Sequence, residues 1–213
     1  MPVSLDHFAA FVVASVILLV IPGPTIIMVI TQALAHGRRI ALASVLGVGL
    51  GDLVATSLSI AGAGALLATS ASLFQLLKFV GAAYLIWIGY KMWRSPVQIP
   101  DMTETDIPAA SGRPGVIFRD SFLITALNPK GILFFVAFVP QFIDPAAPYA
   151  PQAAVYVLTF TLLGIVNAAM FAFVAAGARQ TIRRPRVMKA ALRTGGSLLM
   201  MAGIAAALTR RAA

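Results

Sequence analysis

Six long apolar stretches occupy nearly the whole chain, and they decide which solvent the fold can face. They cover residues 5–34, 40–67, 73–93, 119–142, 153–177 and 190–208. A helix needs about 20 mostly apolar residues to cross the hydrocarbon core of a bilayer. Helix is the economical choice there, because backbone amides in lipid must be satisfied within the segment. Of the 213 residues 60% are apolar and only 11% charged, too few charges to cover a water-exposed surface. The expected fold is all-α and integral to the membrane, a single membrane domain over 1–213 with about six transmembrane helices. A five-span arrangement, with one stretch lying in the interface, is the alternative.

The net charge of +9 points to lipid rather than to nucleic acid once its placement is considered. Arg38 and Arg39 stand in the first loop, and Lys91, Arg94, Arg113 and Arg119 in or beside the third. Arg179, Arg183, Arg184, Arg186, Lys189 and Arg193 crowd the fifth. The second and fourth loops have no cation, and the C-terminal tail has Arg210 and Arg211. Cations collect on the cytoplasmic side, so loops 35–39, 94–118 and 178–193 are expected inside and both termini outside. No basic segment precedes the first apolar stretch, so no cleaved leader is expected. With no cysteine in the chain, disulfides, thiolate metal sites and cysteine nucleophiles drop out. His7 and His36 fall at span edges, and no cofactor is expected.

The polar, proline-bearing loop of about 95–118 separates two groups of three spans, about 1–94 and 119–213. Duplicated three-span units would be inverted relative to each other. Three echoes support that arrangement. Pro22-Gly23-Pro24 interrupts the first span and Asn128-Pro129-Lys130-Gly131 the fourth. Gly49-Leu50-Gly51-Asp52 in the second answers Gly164-Ile165-Val166-Asn167 in the fifth. Lys78-Phe79-Val80-Gly81 in the third answers Arg193-Thr194-Gly195-Gly196 in the sixth. The expectation is two inverted three-helix repeats with broken first and fourth helices.

Proline removes a helix hydrogen bond and clashes with the preceding turn. Broken backbone at membrane depth persists only where it is buried in protein or lines a cavity. At about 1.5 Å rise per residue, residues 22–24 and 128–130 fall at similar depth, with Asp52 and Asn167 near the middle of their spans. Pro22, Gly23, Pro24, Asn128, Pro129, Lys130 and Asn167 are therefore the candidate solute-binding residues. Asp52 is the candidate for coupling or ion pairing, since an intramembrane carboxylate is costly. Lys130 suits either a solute carboxylate or Asp52, and Lys78 either pairs with Asp52 or reaches the outer interface. Gly49, Asp52, Thr56 and Ser59 form one helical stripe, facing a cavity. Ala43, Gly47, Gly51 and Ala55 form another, suited to close helix contact within or between subunits, which leaves a homo-oligomer open. Asp120 is expected to cap the fourth helix.

These residues resemble the LysE/RhtB-type amino acid exporters of bacteria. The resemblance rests on Ile21-Pro22-Gly23-Pro24, Gly47-Val48-Gly49-Leu50-Gly51-Asp52, Lys78 through Leu85 with Gly89, and Phe122 with Leu127-Asn128-Pro129-Lys130. It spans nearly the whole chain, with Ser121 standing where the family usually has glycine. It implies a proton-driven secondary exporter, an antiporter of amino acids or similar small amphoteric solutes in the bacterial inner membrane. Catalytic activity is not expected, since no nucleophile and base pair falls at membrane depth. A divalent-cation exporter of related fold is the alternative, and it would need clustered ligands.

Overall fold

The computed structural model describes residues 2–20, 23–94, 113–144, 146–177 and 185–208, and every described element is helical. The first span is two helices, α1 (Leu5–Val20) and α2 (Pro24–His36), whose axes differ by 54°. Pro24 opens α2 as its first residue, where a missing N–H costs nothing. Gly37, at φ +79°, then turns the chain into the unbroken α3 (Arg38–Thr69). After Ser70 comes α4 (Ala71–Arg94).

The fourth span is broken as well. It begins with α5 (Pro114–Ala126), which ends at Leu127, and resumes at α6 (Pro129–Leu133). From there Phe134–Phe138 forms a π turn and Val139–Phe142 a 3₁₀ turn. Pro140 lies in this segment and supplies no donor to the ladder, which favours such irregular winding. Then follow α7 (Tyr149–Gly177) and α8 (Pro185–Leu208).

By length and apolar character α3, the α5–α6 span and α7 each suffice to cross a membrane, and the bent α1–α2 pair makes a fourth. The helices α4 and α8 have 24 residues each, roughly 36 Å at the usual rise. The fourth span starts earlier than the apolar pattern suggests. Helix α5 begins at Pro114, so Asp120 lies inside it and pairs with Arg119 at 2.8 Å instead of capping its start. Helicity continues through polar residues at the membrane edge, which hydropathy alone does not register.

Small residues set the helix spacing. A Cβ on Gly47 would strike the Phe118 carbonyl and one on Gly51 the Thr125 side chain, so α3 and α5 touch backbone to backbone. The spacing-four stripe is thus used within the chain. Ser121 fits this seam because its hydroxyl pairs with that of Ser44 at 2.7 Å. Gly49 seats against Ile165 on α7, and Gly89 and Gly203 bring α4 and α8 together. At one end of the bundle an aromatic cluster joins α1, the π turn and α7. Phe11 lies 4.6 Å from Tyr156 and Phe135 5.0 Å from Phe160 between ring centroids, with Tyr156 donating to the Phe142 carbonyl. At the other end Lys91, Arg94 and Arg193 lie over Trp87, Tyr90 and Trp93, an interfacial cation and aromatic belt.

Gly47→Val is expected to destabilise the fold by about 1–3 kcal/mol, the usual cost of overpacking, whereas Gly62→Ala, with open space around it, should be neutral. Thermal unfolding of the two purified variants in detergent checks the contrast.

Candidate functional site

The two helix breaks meet at one cavity. Its wall includes Gly23, Thr25, Asp52, Asn128, Lys130 and Asn167, and it measures about 30 Å³. That holds a water or two and is too small for an amino acid, so this conformation is closed around its centre.

Interrupting α1 leaves carbonyls at its C-terminal end without helical partners. Two side chains from the second half of the chain reach them. The Lys130 ammonium donates to the Leu18 carbonyl at 3.0 Å, and the Asn167 amide donates to the Leu19 carbonyl at 3.0 Å. A cation at a helix C-terminus is also favoured by the helix dipole. Lys130 is thus engaged with the break in the first span, a partner that the sequence did not suggest.

The two helix starts at the breaks differ. Asn128 caps α6, its side-chain oxygen accepting from the Lys130 backbone N–H at 3.1 Å. Gly23 caps α2 with no side-chain bond, leaving first-turn N–H groups at Thr25 and Ile26 beside the cavity. The Asn128 amide instead donates to the Thr25 hydroxyl at 3.2 Å, and Thr125 donates to the same oxygen at 3.4 Å.

Asp52 is buried, 8% exposed, and among the described residues its carboxylate accepts no hydrogen bond. The Thr56 hydroxyl bonds the Asp52 backbone carbonyl at 2.7 Å instead. A Cβ on Gly164 would collide with Asp52 Oδ2, so α7 sits flush beside the carboxylate only as glycine. Asp52 and Lys130 place opposite charges on the wall of the same cavity.

Of the residues singled out in the sequence, Gly23, Asp52, Asn128, Lys130 and Asn167 line the cavity together. Pro24 and Pro129 are exposed and stand at the first positions of α2 and α6, where they shape the breaks. Pro22 lies outside the described residues, as does the side chain of Lys78, whose backbone belongs to α4. In the stripe Gly49, Asp52, Thr56 and Ser59, Asp52 and Thr56 reach the cavity while Gly49 is taken up by Ile165. Thr25 and Thr125 line the cavity without having been singled out. Their one signal is position, next to Pro24 and three residues before Asn128. Among the described residues no three His, Asp or Glu side chains gather as a metal would require.

An all-helical membrane protein with paired broken helices around a charged central cavity has the build of a membrane translocator. The chain belongs to the LysE type translocator family, which it matches over residues 16–210. It is 34% identical over 198 residues to an uncharacterized membrane protein of Vibrio cholerae, covering 92% of this chain and 93% of that one. It is 32% identical over 209 residues to the homoserine/homoserine lactone efflux protein of Salmonella typhimurium, covering 98% and 100% respectively. With the leucine efflux protein of Klebsiella pneumoniae it shares 32% identity over 205 residues, 95% of this chain and 94% of that one. No solved structure matches it.

Asn167→Leu keeps the side-chain size but leaves the Leu19 carbonyl without its donor, and should cost roughly 1–3 kcal/mol. A lowered unfolding temperature in detergent, against unchanged helix content by circular dichroism, checks this.

Proposed function

We propose that this protein is a secondary active exporter of amino acids or similar small amphoteric solutes across the bacterial inner membrane, coupled to protons. The observation that carries the reading is the cavity lined by Asp52, Lys130 and the uncapped start of α2. A zwitterion has an ammonium group for Asp52 and a carboxylate for the α2 N–H groups and Lys130. The efflux relatives support export as the direction.

In this reading the solute binds between the two breaks, at Pro22, Gly23 and Pro24 on one side and Asn128, Pro129 and Lys130 on the other, with Asn167 above α1. Asp52 carries the coupling proton, and Lys78 serves as an ion-pairing partner. The chain forms one membrane domain of two inverted repeats. Supporting this, Gly49 and Gly164, equated by the repeat, each seat against the opposite helix where α3 and α7 cross. The loops holding most cations face the cytoplasm and both termini face outward. A divalent cation as cargo would call for several oxygen or nitrogen ligands, and the cavity wall brings a single carboxylate.

An efflux panel of labelled amino acids from loaded cells, with and without the protein, identifies the solute. Asp52→Asn should abolish gradient-driven efflux while expression and membrane insertion persist. Normal efflux from that variant would remove Asp52 from coupling.

A further inference from the structure

The cavity is closed at its two ends by different materials. Toward the N-terminus of α1 it is closed by Phe160 and the aromatic cluster behind it. Toward the end carrying Arg38 and Arg39 it is closed by the seam between α2 and α5, and this seam is polar and loosely bonded. Thr25, Met28, Gln32 and His36 recur at three and four residues and share one face of α2. That face meets α5 through the 3.4 Å contact of Thr125 with Thr25 and the 3.9 Å contact of Ser121 with the Met28 sulfur. Ser44 on α3 continues the track through its pair with Ser121.

Further along the same face, Gln32 is 8% exposed, and among the described residues neither its Oε1 nor His36 Nδ1 has a hydrogen-bond partner. A buried polar atom left without a partner is costly, whether donor or acceptor. Two of them, one turn apart, are accounted for if water or a polar solute reaches that face in another conformation.

The mechanics of α2 agree with this. It is a 13-residue half-helix with the α1 break and Gly23 at one end and Gly37 at the other. Gly37 is the one residue with positive φ among those described. The adjoining face of α2 is apolar, with Val29 and Ala33 packed on Val45 and Val48 of α3 and Ala168 and Ala172 of α7. By contrast α3 and α5 are locked together at Gly47 and Gly51. The element free to part from α5 is α2, rocking on its apolar face.

We infer that α2 is the gate on the Arg38 and Arg39 side of the cavity, and that its Thr25, Met28, Gln32 and His36 face lines the access route for a small polar solute. The inference extends the exporter reading by naming the route and the moving part.

The chain has no cysteine, so introduced thiols are unique reporters. Gln32→Cys in the full chain should react with a membrane-impermeant maleimide from the side on which α3 begins. Ser44→Cys, nearly isosteric, repeats the measurement should Gln32→Cys fail to fold. Exposed Ala35→Cys is the positive control and Leu46→Cys, 62% exposed toward lipid, the negative one. Joining Met28→Cys to Ser121→Cys with a short bis-methanethiosulfonate, each cysteine thiolate displacing a methanesulfinate to form a reducible disulfide, should slow efflux at least tenfold, and reduction should restore it. The gate is overturned if Ala35→Cys labels while Gln32→Cys and Ser44→Cys stay unlabelled from both faces. It is also overturned if the cross-linked protein exports at an undiminished rate. Labelling needs no transported solute, so an efflux panel with no response would end the exporter reading and leave the gate to be judged by labelling.

Discussion

A helix interrupted inside a membrane leaves amide and carbonyl groups that neither lipid nor the helix itself can satisfy. Here the debt at the end of α1 is met from the other half of the chain, by Lys130 and Asn167 reaching the Leu18 and Leu19 carbonyls. That requirement draws α6 and α7 against the first span and brings Asp52 on α3 beside them. The cavity follows from satisfying the break, since the groups that close the backbone's polar account are the groups that line the space.

Close packing makes this reach possible. Gly47, Gly51 and Gly164 let α3 lie directly on α5 and α7, so that a carboxylate, an ammonium and two helix starts converge around about 30 Å³. Ser121 shows how a polar residue is accommodated in such a seam, by pairing with Ser44. The α3–α5 contact is backbone against backbone at Gly47 and Gly51, whereas α2 meets α5 through the longer side-chain contacts of Thr25 and Met28. In the proposed exporter these two contacts would serve as the fixed frame and the moving element of alternating access.

Membrane residence, helical fold and the places of both breaks were legible in the sequence, because apolar length and proline chemistry act locally. Asp52, Asn128, Lys130 and Asn167 stood out for the same reason, as polar groups at a depth where lipid penalises them. What they bond to was not legible. Lys130 was read as a partner for a solute or for Asp52, and its bond to Leu18 spans 112 positions of sequence. The start of α5 at Pro114 and the pairing of Asp120 with Arg119 also escaped the apolar pattern, since a helix continues into polar residues at a membrane edge. Thr25 and Thr125 carried no signal of their own, for threonine is common in membrane helices and acquires meaning only from its neighbours.

By itself, then, the sequence determined the solvent, the helices, their interruptions and the set of costly polar residues. Each of these depends on the free energy of short segments in lipid. The tertiary structure alone decided which orphaned carbonyl meets which side chain, that α6 is capped while α2 is not, and which face of α2 borders α5. Those choices depend on contacts between segments some hundred residues apart, whose geometry is set by helix crossing at glycines and is invisible to local pattern.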